Sequence, residues 1–163
     1  MKQKYILTAC LLLSGLVAFA QQPFITTWTS VFSSTSISFG AVTTGTVAYS
    51  WETLPPAAAV SGSGTFTGPN VTITGLPADI RIRLTIQPEN FKRIFASGTA
   101  FTISEINQWG TVEWISMENA FDISNSFFAN GIQLVTATDI PNLTNVTSMK
   151  NMFKNCAGLN SPF

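Results

Sequence analysis

Residues able to carry out covalent or acid–base chemistry are few in this chain of 163 residues, which contains no histidine. Without histidine, Ser-His-Asp and Cys-His nucleophile sites and the usual zinc centres are excluded. Carboxylates remain, because a pair of them can hydrolyse a glycoside. Glu118 and Asp122 are the best-spaced pair, four residues apart on a predicted helix, but a solvated helix face explains them better than catalysis. We therefore predict no enzyme activity and no catalytic residue.

Cofactor and metal sites also lack their usual sequence patterns. The chain has neither a P-loop nor a GxGxxG motif. Asp79, Asp122 and Asp139 are isolated along the chain, whereas a calcium loop needs clustered oxygen ligands. Cys156 lies in an apolar-patterned segment, which favours a buried thiol over a reactive one. We predict no cofactor, no metal and no internal disulfide.

Tryptophans are the remaining candidates for a binding surface. Exposed indole rings offer large flat apolar faces that can stack on a sugar ring. Trp51 shares its strand parity with Val47 and Tyr49, which predicts a core position, with sugar stacking as the alternative. The other three tryptophans are the candidate binding residues: Trp28, Trp109 and Trp114.

Residues 1–20 have the three parts of a secretory signal peptide. Two lysines precede an apolar run over residues 5–17, and Ala18-Phe19-Ala20 matches an A-x-A cleavage site. A membrane anchor is the first alternative, but the run is shorter than the roughly 20 residues of a span. Lipidation at Cys10 is the second, but most of the apolar run follows that cysteine. The mature protein is expected to begin at Gln21, without a membrane span, and to be secreted or held at the cell surface.

Composition supports an extracellular, β-rich protein. Charged residues make up 10% of the chain, against about 25% in an average soluble protein. Loss of residues 1–20 would leave six basic and eight acidic residues, a net charge of −2. No basic patch remains for nucleic acid or anionic lipid. The expected partner is an extracellular protein or glycan, and no nucleic acid.

Residues 21–98 are predicted to form an antiparallel β-sandwich of seven short strands. Residues 80–87 alternate apolar and polar side chains throughout, which indicates a strand with one buried face. Glycine and proline turns separate this strand from its neighbours. The other candidate strands are residues 24–32, 36–39, 47–52, 64–67, 71–74 and 91–95.

Residues 99–163 contain an internal repeat. The sequence Ser116-Met-Glu-Asn-Ala-Phe121 is echoed 32 positions later by Ser148-Met-Lys-Asn-Met-Phe153. Methionine and phenylalanine at i and i+4 share one helical face, which predicts short helices near 116–122 and 148–154. An extended stretch precedes each echo, at residues 101–106 and 133–140. Strand, loop and short helix in repetition are typical of a solenoid.

The second repeat, Asn145–Leu159, reads NVTSMKNMFKNCAGL. It resembles the NVT-x-M-x-x-MF-x-x-C-x-x-L repeat of BspA-like leucine-rich-repeat surface proteins of Bacteroidetes. Residues 108–121 resemble a first repeat of the same proteins, although Ser124 stands where Cys156 stands in the second. The resemblance implies an adhesion or protein-binding role for residues 99–163, with a PKD- or immunoglobulin-like spacer before them. A carbohydrate-binding module that uses the three candidate tryptophans is the alternative.

Residues 159–163 read as the opening of a third unit. A repeat of this kind buries its apolar face only against a neighbour or a cap. We therefore expect the chain to be a piece of a longer repeat protein, with residues 99–163 as an incomplete leucine-rich-repeat-type solenoid.

Overall fold

The structure, a computed structural model, describes residues 21–29, 34–97, 103–124 and 131–160. Those residues contain nine strands and no helix. The prediction of a mainly β chain is confirmed, whereas the predicted signal peptide, residues 1–20, lies outside the described residues. The strands are β1 (Phe24–Thr29), β2 (Ser36–Thr43), β3 (Val47–Thr53), β4 (Ser61–Phe66), β5 (Asn70–Thr74), β6 (Arg81–Ile86), β7 (Phe91–Phe95), β8 (Ile103–Gln108) and β9 (Leu134–Val135).

These strands form two sheets. The larger sheet has the order β4-β3-β6-β1-β8-β9, and the smaller has the order β5-β2-β7. Neighbouring strands are antiparallel except β8 and β9, which run parallel. Strand β1 lies inside the larger sheet, where Thr26 faces Leu84 of β6 on one side and Ile106 of β8 on the other. One sheet therefore spans the predicted boundary at residue 98.

Strands β1 to β7, called here the two-sheet body, enclose an apolar core between the sheets. On β6, Ile82, Leu84 and Ile86 are buried, while the residues between them are exposed or half-buried. The rings of Trp28 on β1 and Phe39 on β2 lie 5.9 Å apart between the sheets. The strand predicted at residues 80–87 and its inward face are confirmed. The predicted strand at 24–32 corresponds to β1, and residues 30–33 lie outside the described residues.

Two glycines of edge strand β4 make room for aromatic rings of β3. A Cβ added at Gly62 would lie 2.8 Å from the Trp51 indole, and one at Gly64 would lie 2.7 Å from the Tyr49 hydroxyl. The rings therefore lie across the edge strand, where glycine leaves its backbone uncovered. Trp51 packs against the core as predicted, but it stays half-buried.

The short helices predicted near residues 116–122 and 148–154 are absent, and turns take their place. The reason lies in the backbone of Asn119 and Asn151, whose φ angles are 53° and 58°. These left-handed values interrupt a right-handed helix, and asparagine tolerates them better than most residues. The spacing of methionine and phenylalanine was compatible with a helix, but the asparagine between them was the signal for a turn.

Truncation of the inward residues of β6 should destabilise the protein strongly. Ile82→Ala or Leu84→Ala is expected to lower the free energy of unfolding by about 2–5 kcal/mol, because both side chains are buried. Arg83→Ala should cost well under about 1 kcal/mol, since Arg83 forms only an exposed ion pair with Glu52. Urea unfolding measures both effects. A greater loss for Arg83→Ala would mean that the faces of β6 are reversed.

Candidate functional site

After the two-sheet body the chain makes two stacked turns, called here coil 1 (residues 103–124) and coil 2 (residues 131–160). The N–H of Gln133 donates to the carbonyl of Ser104 at 2.9 Å, and the N–H of Asn160 donates to the carbonyl of Gln133 at 3.1 Å. The chain therefore returns to the same line at each turn. Parallel pairing of β8 with β9 marks the same edge of the stack.

Backbone hydrogen bonds join the two coils along the repeated sequence. Alternate N–H groups of coil 1 donate to carbonyl groups of coil 2, so they are not available for bonds within a helix. This second reason for the missing helices is tertiary, since the acceptors belong to the next coil and not to the same turn of the chain. The donor–acceptor pairs are Met117–Ser148 (2.8 Å), Asn119–Lys150 (2.9 Å), Phe121–Met152 (2.9 Å) and Ile123–Lys154 (3.2 Å).

Repeat-equivalent side chains also meet between the coils. The Asn151 side-chain amide donates to Oδ1 of Asn119 at 3.1 Å. The rings of Phe121 and Phe153 stack at 5.4 Å with an interplanar angle of 18°. Both pairs have the offset that the sequence repeat predicts. Ser116 Oγ accepts the N–H of Glu118 at 3.1 Å, so this serine opens a turn.

The predicted offset of 32 holds only in the second half of each coil. Glu113 pairs with Asn142, and Glu105 pairs with Leu134, both at an offset of 29. Coil 2 therefore contains three additional residues between Asn142 and Thr147, whose N–H donates to Ile115 at 3.1 Å. A constant offset of 32 would pair Trp109 with Pro141. The offset of 29 in this half of the coils shows that this pairing does not occur.

Asp139 fills the position beside Trp109. Its carboxylate accepts the backbone N–H of Trp109 at 3.0 Å and that of Gly110 at 2.7 Å. A carboxylate that accepts two backbone N–H groups forms charge-assisted bonds, which are stronger than neutral ones. In the sequence Asp139 is an isolated acidic residue. In the structure its carboxylate joins coil 2 to coil 1 through these two hydrogen bonds.

The two-sheet body covers the side of coil 1 that coil 2 leaves open. Beyond the pairing of β1 with β8, the N–H of Ile115 donates to the Lys92 carbonyl at 3.1 Å. The guanidinium of Arg93 donates to the Glu118 carbonyl at 2.8 Å. Phe24, Phe91, Trp109 and Trp114 form an aromatic cluster across this junction, with ring centroids 5.1–6.2 Å apart.

The three candidate binding tryptophans do not form a surface. Trp28 is 1% exposed, Trp109 6% and Trp114 0%. The expectation that they are exposed is therefore wrong, and the reason is packing. Trp28 lies between the two sheets, and the other two fill the junction between the two-sheet body and coil 1. The indole faces needed for stacking on a sugar are occupied by neighbouring rings.

Coil 2 has one side on which backbone N–H groups have no acceptor in the described residues, called here the open side. The N–H groups of Met149, Asn151, Phe153 and Asn155, equivalent to the coil 1 donors, have no acceptor among residues 21–29, 34–97, 103–124 and 131–160. Coil 2 also carries exposed apolar side chains. These are Leu134 (44% exposed), Ile140 (86%), Leu143 (37%) and Met149 (51%).

Two of the groups considered for chemistry, Asp122 and Cys156, have structural partners. The Asp122 carboxylate accepts the N–H and the hydroxyl of Ser124. The half-buried Cys156 donates its thiol to the Phe121 carbonyl at 3.2 Å, and burial raises the pKa of this thiol. In the described ranges, histidine, cysteine and acidic residues form no group of three suited to hold a metal ion. None of the described segments is a helix long and apolar enough to span a bilayer.

The larger sheet carries an open polar concavity of about 550 Å³, and Trp51 is one of its lining residues. It lies along β3, β4 and β6, and serine and threonine hydroxyls line it with one carboxylate. Hydroxyl groups of this kind can hydrogen-bond a neutral polar ligand. Its lining residues include Ser50, Glu52, Ser61, Ser63 and Thr85.

Comparison of the chain with protein-family models, with curated proteins and with solved structures found no match.

Removal of the Asp139 carboxylate should loosen the stack. Asp139→Ala is expected to lower the free energy of unfolding by about 1–3 kcal/mol, because two backbone N–H groups lose their acceptor. Asp122→Ala is the matched control, and it should cost under about 1 kcal/mol, since its carboxylate bonds only the exposed Ser124. Chemical denaturation followed by tryptophan fluorescence compares them. Equal losses would show that Asp139 does not tie the coils together.

Proposed function

We propose that this chain is an exported, non-enzymatic surface or secreted module that binds an extracellular protein through residues 99–163. The observation that carries the proposal is the open side of coil 2. Backbone N–H groups with no acceptor in the described residues lie along this side, a feature used in recognition by addition of an extended segment, and coil 2 also carries exposed apolar side chains. The donors occur at alternate positions, as in a strand edge that awaits a partner.

The repeat region is proposed to be a leucine-rich-repeat-type solenoid of the BspA-like kind. In support, the coils stack through repeat-equivalent asparagine and phenylalanine pairs. The hydrogen bond from Asn160 to Gln133 also places Asn160 where a third turn would begin. Solenoid repeats are stable only with neighbours or caps on both sides. On this proposal the open side of coil 2 receives either a further repeat or the partner.

The two-sheet body is proposed to be a β-sandwich of the PKD or immunoglobulin-like kind. Its role in the stack goes beyond that of a spacer, because it would serve as the cap of coil 1. The pairing of β1 with β8 and the bonds from Arg93 and Ile115 support this role. Export is proposed on the tripartite leader at residues 1–20 and on the low charge of the chain.

A carbohydrate-binding role stays as the second candidate, now on different residues. Trp51 is the tryptophan that the structure leaves half-exposed, and Tyr49 lies beside it over the glycines of β4. Trp51 itself lines the open polar concavity along β3, β4 and β6, whose serine and threonine residues supply hydroxyl groups. A glycan site there would therefore depend on Trp51, and it would be independent of coil 2.

The rate of amide hydrogen exchange should differ between repeat-equivalent residues of the two coils. The N–H groups of residues 117, 119, 121 and 123 are expected to exchange at least about tenfold more slowly than those of 149, 151, 153 and 155. The first set is bonded between the coils, and the second set has no acceptor in the described residues. Appending a duplicate of residues 129–160 after Asn160 should protect the second set. Equal protection without it would contradict an open side.

Retention on purified ligands tests the function. Matrix proteins and insoluble glycans are coupled to separate resins, and the exported protein is passed over each. Met149→Asp and Leu143→Asp should lower retention on a matrix protein by about tenfold or more, because they place charge on exposed apolar residues of coil 2. Val60→Asp is the matched control, since Val60 is 48% exposed and precedes β4.

The same assay separates the two candidates. Retention on a glycan that is lost in Trp51→Ala and kept in Met149→Asp would establish the carbohydrate-binding role. Retention on neither class of ligand, with the hydrogen-exchange pattern intact, would overturn protein binding by these coils and leave the stack as a purely structural element.

A further inference from the structure

A small polar cavity lies at the point where the predicted mature chain would begin. It has a volume of about 240 Å³, and Gln21 lines it together with side chains of the two-sheet body and coil 1. Glu89 and Lys92 come from the body, and Thr111 and Glu113 come from coil 1. The residue that would follow the predicted cleavage site therefore lies beside groups from both parts of the protein.

The chain next to Gln21 is held firmly against coil 1. The N–H of Gln22 donates to Thr111 Oγ1 at 3.1 Å, and the N–H of Thr111 donates to the Gln22 carbonyl at 2.9 Å. Gln108 donates its side-chain amide to the Pro23 carbonyl at 2.8 Å. A Cβ added at Gly110, where φ is 68°, would lie 2.3 Å from the Gln22 carbonyl oxygen. Only glycine permits this approach, so the position of Gln21 at the cavity is built into the fold.

The charged side chains that line the cavity carry one more negative charge than positive charge. Lys92 is paired with Glu113 at 2.8 Å, and this lysine holds the pKa of the Glu113 carboxyl below its usual value. Glu89 is exposed, and in the described residues it has no cationic partner. The two carboxylates and one ammonium leave a net charge of −1 at the cavity. One added positive charge would neutralise it.

We propose that the cavity receives the α-ammonium of Gln21 after the leader is removed, with Glu89 as its counter-ion, and that this pairing protects the N-terminal glutamine from cyclisation. The inference rests on the proposed export and cleavage after Ala20. The assignment follows from the fixed position of Gln21, the unpaired carboxylate and the charge that cleavage creates.

Cyclisation of an N-terminal glutamine needs the unprotonated amine. The amine nitrogen attacks the side-chain amide carbon, a new C–N bond closes the lactam, and the amide nitrogen leaves as ammonia with one proton from the amine. An α-amine ordinarily has a pKa of about 7.7–8.0, and a neighbouring carboxylate raises that value by favouring the charged form. A raised pKa leaves less unprotonated amine at neutral pH, so the lactam forms more slowly.

The test measures the rate of cyclisation as the loss of ammonia by intact mass. Residues 1–20 are replaced by a tag whose protease leaves Gln21 as the first residue, so the result does not depend on natural cleavage. Folded protein should cyclise about three- to tenfold more slowly than the same protein in denaturant. Glu89→Gln should remove most of that difference. Glu52→Gln, an exposed carboxylate that does not line the cavity, should leave the rate unchanged.

A displaced terminus provides the second variant. Adding Gln-Ser-Ala before Gln21 moves the terminal glutamine away from the cavity, and it should cyclise at the rate of the denatured protein. Equal rates in the folded wild type and Glu89→Gln would overturn the proposal. Intact mass of the exported protein is measured separately. An exported chain that retains residues 1–20 would refute the proposed cleavage, while the rates from the tag-released protein would still decide whether the cavity binds the amine.

Discussion

Strand β1 and its first residue, Phe24, form the junction on which the rest of the structure depends. The strand pairs with β6 of the two-sheet body and with β8 of coil 1. Its Phe24 ring lies 6.2 Å from Phe91, 6.1 Å from Trp109 and 5.1 Å from Trp114. A single buried ring therefore contacts the core of both parts. Because aromatic side chains contribute large buried areas, this junction makes the two parts cooperative.

The apolar side chains of the stack become less buried with distance from that junction. In the turn of coil 1, Met117, Ala120 and Phe121 are fully buried, whereas Met149 in coil 2 is 51% exposed and Phe153 is half-buried. Coil 2 is attached by the backbone bonds, the Asn119–Asn151 bond and the Asp139 carboxylate, and its apolar contribution to the core comes chiefly from Ile132 and Met152. Segments with few buried apolar contacts open locally at low free energy. Stability should therefore decline from the two-sheet body through coil 1 to coil 2.

This gradient gives the molecule two unlike ends. At one end the sheets are closed around an apolar core, and the start of the proposed mature chain is fastened to coil 1 by the Gln22–Thr111 pair. At the other end, coil 2 has backbone N–H groups with no acceptor in the described residues. One side of the stack is therefore covered by the two-sheet body, and the other side is uncovered in the described residues.

Local sequence determined the strands of the two-sheet body. Alternation along residues 80–87 depends only on neighbouring residues, so it identified β6 and its buried face. The echo of Ser116–Phe121 at Ser148–Phe153 identified the residues that later pair between coils, and the lack of charge and histidine limited the chemistry. The leader at residues 1–20 was likewise recognised from residue order alone, as a prediction.

Tertiary structure decided what those segments became. The Met-to-Phe spacing suited a helix, but left-handed Asn119 and bonds to the carbonyl groups of coil 2 replaced it with a turn. Trp109 and Trp114 read as surface residues because the ring that covers them, Phe24, lies in the first strand, far from them along the chain. Asp139 was predicted to be isolated because its hydrogen-bond donors, the N–H groups of Trp109 and Gly110, lie 30 and 29 residues earlier in the chain. The errors over Trp109, Trp114 and Asp139 concerned partners brought close by the fold, and sequence spacing carries no record of such partners.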